Sequence, residues 1–208
     1  RIFGTLNANG QVYLINQNGI LFGSGSQVNA GSLIASTLDV TDQVFNGLGI
    51  VGAINNDLAA GQGAALAAFD GQSDASISIE SGARLRAGER VIVVAADVEN
   101  RGSIETPDGQ AILAASHDKV YLASDRELRG LLVEVDTGGS VTNLGQILAD
   151  RGNVTLAGLA VNQNGRVSAT TSVSAGGSVR LLARDGATAL LDGTVRKPQA
   201  SRHLRPDT

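Results

Sequence analysis

Apolar residues come in short runs punctuated by Gly, Asn and Ser. No segment sustains a 3.6-residue spacing, so the pattern predicts strands rather than helices. Val12-Tyr13-Leu14, Ile20-Leu21-Phe22 and Leu33-Ile34-Ala35 read as strands. Asn18-Gly19 and Gly23-Ser24-Gly25 lie between them as turns, because Asn and Gly tolerate positive φ. Further along, Ile77/Ile79, Leu85, Val91/Val93, Ile104, Ala111/Leu113, Val120/Leu122, Leu131/Val133/Val135, Val141, Ile147, Val154/Leu156, Val167, Val179/Leu181 and Val195 are expected to point inward. Val154-Thr155-Leu156 and Val179-Arg180-Leu181 alternate cleanly, which predicts water around Thr155 and Arg180.

The pattern also repeats. Asn100, Gly102, Ile104, Gly109, Leu113 and Ala114 return as Asn143, Gly145, Ile147, Gly152, Leu156 and Ala157, each 43 residues on (143 − 100, 157 − 114). Gly145-Gln-Ile147 returns as Gly165-Arg-Val167 after 20. A repeat of roughly 20 residues, rich in Gly and short aliphatic runs, predicts a parallel β-helix. The general crossover rule makes it right-handed. Eight to ten rungs of about 20 residues would make a rod about 40–50 Å long. Ile147 should then stack on Val167, and Leu156 and Leu181 should lie in neighbouring rungs.

The pattern divides the chain. Residues 1–75 form one region, with an irregular excursion at 41–75. There Asp42–Phe45 reads as one helical turn capped by Thr41 or Asp39. Asn55 to Phe69 reads either as a short helix or as an excursion from the rod. Residues 76–195 read as continuing β-helix rungs, with Ser124–Gly130 a charged loop. Residues 196–208 read as a disordered tail, where Arg196, Lys197, Arg202, His203 and Arg205 sit among Pro198 and Pro206.

Composition fits a narrow core. Glycine numbers 27 and proline 3, and aromatics are only 3% of the 208 residues, so few bulky rings need room under the rungs. A net charge of −4, from 16 basic and 20 acidic residues, argues against a nucleic-acid partner. No apolar run is long enough to span a bilayer as a helix, so membrane insertion by that route is not expected. A start at Arg1 rather than Met reads as an internal cut. Cysteine is absent. That fits a reducing compartment, or a chain that crosses an oxidising space unfolded, where a disulfide would trap a loop.

Candidate chemistry is sparse. Ser116-His117-Asp118 has the residue types of a hydrolytic triad, but neighbours on a strand alternate faces, so a solvated corner is expected instead. His117 and His203 lack a second ligand at metal spacing, so no metal and no cofactor is expected. Asp70/Asp74 and Glu99/Glu105 are the nearest carboxylate groupings, and neither repeats at rung spacing. Gly23-Ser-Gly25 and Gly61-Gln-Gly63 lack the third glycine of a dinucleotide fingerprint. Asn16, Asn18, Asn29, Asn143 and Asn162 read as buried corner residues that satisfy turn backbone groups.

Residues 1–40 resemble the N-terminal secretion domain (haemagglutination activity domain) of the filamentous haemagglutinin family, the exported partners of two-partner secretion. The resemblance is carried by Arg1-Ile-Phe-Gly4, Asn9-Gly-Gln-Val-Tyr-Leu-Ile-Asn16, Gln17-Asn18-Gly19-Ile20-Leu-Phe-Gly23, Gln27-Val-Asn29, Gly31-Ser-Leu33 and Ala35-Ser-Thr-Leu-Asp39. The family's usual form at 16–20 is Asn-Pro-Asn-Gly-Ile, and this chain has Gln17 in place of the proline. Residues 76–195 match more loosely, as glycine-punctuated rungs.

The resemblance implies an all-β, single-stranded parallel β-helix, truncated at its N-terminus so that a cap and a signal peptide are missing. It implies a secretion-targeting and adhesive-scaffold segment of a large exoprotein of a Gram-negative bacterium. Such a chain crosses the periplasm unfolded, is recognised by an outer-membrane β-barrel transporter and its periplasmic domains, and ends secreted or on the cell surface. A host-cell or carbohydrate receptor would be engaged through the full-length protein. Asn16, Gln17, Asn18, Gly19 and Ile20 are the residues expected to serve transporter recognition or to build a structural corner. No enzymatic activity is expected. The competing reading is a carbohydrate-active enzyme, a polysaccharide lyase or hydrolase, on the same fold.

Overall fold

A computed structural model describes residues 1–47, 49–50, 52–53, 66–125, 130–169, 178–191 and 194–196. For 124–125 and beyond 169 it describes the backbone only. The first rung holds β1 (Thr5–Asn7), β2 (Gln11–Ile15) and β3 (Ile20–Phe22), one strand on each of three faces. The chain then winds on in parallel. The first face continues through β4 (Gln27–Ser36), β8 (Arg84–Ala95), β10 (Ser103–Glu105), β15 (Gln146–Ala149), β17 (Arg166–Ala169) and β19 (Thr194–Arg196). The second runs from β2 through the later halves of β4 and β8 to β11 (Gln110–Ala115), β16 (Asn153–Gln163) and β18 (Ser178–Leu191). The third runs from β3 through β7 (Ser76–Ile79), β9 (Asp97–Asn100) and β14 (Ser140–Asn143) to the ends of β16 and β18. The parallel β-helix read from the repeat is the observed architecture.

The expected columns are present. Ile147 pairs with Val167, and Leu156 pairs with Leu181. Inward residues from all three faces, among them Phe22, Leu33, Ile77, Leu85, Val91, Ile104, Leu113, Val141, Ile147 and Leu156, form one continuous buried core. Alternation on β7, β14 and β15 follows the pleat, with Ile77, Ile79, Val141, Asn143, Ile147 and Ala149 buried and their neighbours less so.

The 43-residue offset is a single rung. Ile104 pairs directly with Ile147, and Leu113 with Leu156. The extra length is residues 116–139, which leave the rod as a hairpin of β12 (Val120–Asp125) and β13 (Gly130–Val135), closed at its base by a Ser116–Gly138 bridge. A longer excursion, residues 37–75, separates Phe22 on the third face from its partner Ile79, 57 positions on (79 − 22). With so much chain outside the rod, the first face stacks seven described strands rather than eight to ten. Its length is roughly 30 Å at the usual strand spacing.

The two excursions join. β5 (Asp39–Val40), β6 (Leu66–Asp70), β12 and β13 form a four-stranded antiparallel sheet in the order β13-β12-β6-β5. This sheet lies on the outside of the second face. Its apolar side packs on Ile34, Ile92, Val94, Ile112 and Ala114, the outward residues of the rungs beneath. Val120, Leu122, Leu131 and Val133, expected in the rod core, are therefore buried in this second core, with Val135 partly buried against it. Thr155, expected to face water, lies beneath the hairpin, 3% exposed. Because both sides of the second face are covered, 91–96 and 111–115 are unbroken buried runs.

The helical turn is α1 (Asp42–Asn46), with Thr41 at its N-cap position. Neither proposed side-chain cap forms. Thr41 Oγ1 donates to the Ala67 carbonyl (2.9 Å), and Asp39 Oδ1 accepts from the Val40 N–H (2.9 Å). Within 55–69, residues 66–69 are strand, and the earlier part lies outside the described residues. So do the middle of the 124–130 loop and the tail beyond 196.

Candidate functional site

Asn16-Gln17-Asn18-Gly19-Ile20 is the corner between the second and third faces of the first rung. Strand β2 delivers Asn16, whose N–H donates to the Ser36 carbonyl of the rung above (3.0 Å). The turn then closes on itself. Gly19 N–H donates to the Asn16 carbonyl (3.0 Å), Asn16 Nδ2 donates to the Gly19 carbonyl (2.9 Å), and Asn18 N–H donates to Asn16 Oδ1 (3.1 Å). Gly19 has φ +96°, and a Cβ there would lie 2.8 Å from the Ser76 carbonyl oxygen. Conformation and space thus both require glycine. Ile20 turns inward and is buried beside Ile77, its partner in register.

The five residues separate by task. Asn16, Gly19 and Ile20 build the corner. The side chains of Gln17 and Asn18 are exposed and make no hydrogen bond among the described residues. Asn16 and Asn18 are exposed rather than buried, as is Asn29, which donates to Asn7 Oδ1 (2.9 Å). Asn16 and Asn18 sit on the outer rim of the first rung, whereas Asn29 lies between Asn7 and Arg86 and points outward, its neighbour Val28 taking the inward position. Asn143 does fill the buried role: Asn100 Nδ2 donates to it (2.7 Å), and it donates to Gln163 Oε1 (2.8 Å). Asn162, partly buried, reaches Thr142 (3.4 Å).

Sequence reasoning missed what backs the corner. Ser73, returning from the first excursion, donates from its hydroxyl to the Gln17 carbonyl (3.1 Å). Its N–H donates to the His117 carbonyl (3.1 Å), which ties the corner to the base of the second excursion. Residues 56 apart carry no local signal for such a contact. A shallow cleft of about 290 Å³ opens here, lined by Gln72, Ser73, Asp74, His117, Asp118 and Thr137.

The other candidates are occupied otherwise. Ser116 Oγ donates to the Lys119 carbonyl (2.9 Å) and accepts from the Asp118 N–H (3.3 Å), closing its own turn. His117 Nδ1 lies 2.9 Å from Asp74 Oδ1. Asp70 faces Lys119 at 3.7 Å, and Glu99 pairs with Arg101 at 2.8 Å. Among the described residues no three metal-ligating side chains converge. On the second face, burial raises the Tyr13 phenol above its ordinary range against the opposing pull of the Ile50 backbone and Arg90. Burial likewise lowers the Arg90 guanidinium, against the attraction of Glu89 and Tyr13.

The chain is similar to known proteins over most of its length. The family model described as the TPS secretion domain matches residues 1–201. The heme/hemopexin-binding protein of Haemophilus influenzae is 29% identical over 164 residues, covering 78% of this chain and 17% of that protein. The crystal structure of the HMW1 secretion domain from Haemophilus influenzae superposes with a TM-score of 0.72 at 25% identity, covering 94% of this chain and 49% of that one. The chain thus spans less than a fifth of the curated relative and about half of the solved domain.

Proposed function

The chain belongs to the TPS (two-partner secretion) secretion-domain family, and from that premise we propose that Gln17 and Asn18 are the side chains its outer-membrane transporter reads. Domains of this family mark exoproteins of Gram-negative bacteria for export across the outer membrane, and this chain is such a secretion-targeting segment. The observation that carries the proposal is the division within 16–20. Asn16 and Gly19 are used by the fold, whereas Gln17 and Asn18 are exposed and uncommitted. Two side-chain amides on a preformed turn offer four donors and two acceptors to a partner. In the unfolded chain crossing the periplasm, the same amides sit on a short turn-prone segment that the transporter's periplasmic domains can bind.

The rod then serves as an adhesive scaffold, without catalysis, for an exoprotein that engages its receptor through the full-length protein and ends secreted or at the cell surface. Asp70, Asp74 and Glu99 each lie against a cationic or ionisable partner, which supports a surface-solvation role for them. The test is export of the complete exoprotein co-expressed with its transporter. Asn18→Ala should lower the secreted amount several-fold and leave the melting temperature of the purified domain unchanged. Normal export of Gln17→Ala/Asn18→Ala would remove the proposal.

A further inference from the structure

We infer that Asn9-Gly10 is a self-modification site, where the folded protein converts its own asparagine into aspartate and isoaspartate. Asn-Gly steps occur at 9–10, 18–19, 46–47 and 164–165. In such a step the glycine nitrogen can attack the side-chain amide carbon of the asparagine, because no Cβ hinders its approach. The attack needs a nitrogen whose N–H is not committed elsewhere and a backbone free to swing toward the side chain.

The fold withholds these conditions at the three later steps. Gly19 N–H donates to the Asn16 carbonyl (3.0 Å), and Gly165 N–H donates to the Asn143 carbonyl (2.8 Å). Gly165 is also packed against the Gly145 carbonyl of the neighbouring rung. Asn46 belongs to α1, and a helical ψ keeps the next nitrogen out of line with the side-chain amide. Asn9-Gly10 differs in each respect. It is the corner between β1 and β2, and both residues are exposed. Gly10 N–H has no acceptor among the described residues, and the Asn9 side chain makes no hydrogen bond among them. Nothing lies within 4 Å of the position a Gly10 Cβ would take, so the corner has room for a ring.

The step balances with water alone. The Gly10 nitrogen gives its proton to solvent base and bonds to Asn9 Cγ. The Cγ–Nδ2 bond breaks, and the amide nitrogen takes up a proton and leaves as ammonia, which closes a succinimide ring. Water then adds to a ring carbonyl and breaks that carbon's bond to the nitrogen. Opening at Cγ gives aspartate. Opening at the main-chain carbonyl carbon gives isoaspartate, whose backbone runs through Cβ and Cγ. In the second product the former Asn9 carbonyl becomes a free carboxylate. That oxygen packs on Gly31, where a Cβ would lie 2.7 Å from it. Gly10 also supplies the carbonyl that accepts from the Gly31 N–H (3.0 Å) and the Ser32 N–H (3.3 Å). A longer, charged link at this point therefore loosens the seam between β2 and β4. The 16–20 corner takes no part, so failure here would leave the export proposal standing.

The experiment ages the purified chain at mildly alkaline pH, well below its melting temperature, and maps deamidated peptides by mass spectrometry. Residue 9 should deamidate at least about fivefold faster than residues 18, 46 and 164. In urea that advantage should vanish, because the unfolded chain protects none of the four. Asn9→Gln, whose longer side chain closes a ring poorly, should remove the product from this peptide and leave the melting temperature unchanged. The deamidated fraction, separated by anion exchange, should show faster hydrogen exchange at the Gly31 and Ser32 amides. Equal rates at the four sites in the folded protein, a product that persists in Asn9→Gln, or unchanged exchange at Gly31 and Ser32 would overturn the inference.

Discussion

Asn100 and Asn143 lie 43 residues apart in sequence and 2.7 Å apart in space, Nδ2 of the first donating to Oδ1 of the second with both side chains fully buried. The contact extends in both directions. Asn100 Oδ1 accepts from the Gly102 N–H (3.0 Å), Asn143 Nδ2 donates to Gln163 Oε1 (2.8 Å), and Gln163 Nε2 donates to the Gly165 carbonyl (2.9 Å). Three buried amides on successive rungs thus form a ladder satisfied at both ends. Such a ladder fixes register, because a slip by two residues, which keeps the pleat, would set each buried amide beside an aliphatic neighbour instead of its partner.

Asn143→Ala breaks the ladder in the middle. Gln163 Oε1 loses its donor, and Asn100 Nδ2 is left only a long approach to the Gln146 carbonyl (3.5 Å). The expected loss is about 2–4 kcal/mol, the sum of two buried unsatisfied groups. Urea denaturation checks it. A loss below 0.5 kcal/mol, on the order of a surface substitution, would show that water or relaxation satisfies the amides.

The glycines around this ladder show which parts of the fold were legible in the sequence. A Cβ at Gly145 would overlap the Gly102 carbonyl oxygen, and one at Gly165 would overlap that of Gly145. A stacked corner therefore forces glycine at each rung, and the recurrence announces a solenoid. The same recurrence could not report that 43 residues make one rung. The inserted strands β12 and β13 use Val and Leu as the rungs do, and a strand buried in an outer layer reads like one buried in the rod. One signal was present. Val91 to Ala96 and Ala111 to Ala115 run apolar without alternation, which in a rung means cover on both sides. At the corner, Asn18-Gly19 gave the turn and its positive φ. The support from Ser73 depends on a loop return that no local pattern encodes.

Gln17→Pro tests the corner's geometry. Gln17 is the second residue of a four-residue turn closed by the Gly19 N–H and the Asn16 carbonyl, a position that favours proline. Its own N–H makes no hydrogen bond among the described residues, and its carbonyl, which Ser73 binds, would remain. The substitution should be neutral or stabilising by about 0.5–1 kcal/mol, through a less flexible unfolded chain. Gly19→Ala should instead cost about 1–2 kcal/mol. Thermal melts of the two variants moving in the same direction would contradict this turn.

Tyr13 gives a prediction at alkaline pH. Its hydroxyl donates to Gln11 Oε1 (3.1 Å), and burial holds its pKa above the ordinary value of 10.0. The folded state thus keeps this proton at pH values where the unfolded chain has released it. The stabilisation is fully present below pH 10 and declines as pH rises through the folded pKa. Tyr13→Phe should therefore lose less stability than the natural chain above pH 10, while the two keep a constant difference between pH 7 and 9. Parallel stability curves above pH 10 would refute the shift.

Gln110 is where the rod holds the outer sheet, and it offers the sharpest single test of that attachment. Its Nε2 donates to the Leu131 carbonyl (2.9 Å) and to Thr155 Oγ1 (3.2 Å), and its Oε1 accepts from the Leu131 N–H (2.7 Å). A buried amide thus acts as a strand partner for the free edge of β13. Gln110→Glu keeps the shape and the acceptor but turns the donor into a second oxygen facing a carbonyl. Ionised, it buries a charge against that carbonyl, so its pKa should rise above the usual carboxylate value near 4.3. The folded protein then binds a proton that the unfolded chain does not, and its stability is greatest below that pH and falls as pH rises. At pH 7 the loss should be about 2–4 kcal/mol, and it should shrink in acid, where a protonated Glu restores one donor. Hydrogen exchange should quicken at amides 130–135 and remain slow at 103–105 and 146–149 on the first face. Uniform acceleration over the whole rod would mean that the hairpin and the β-helix unfold as one unit, with no separate attachment at Gln110.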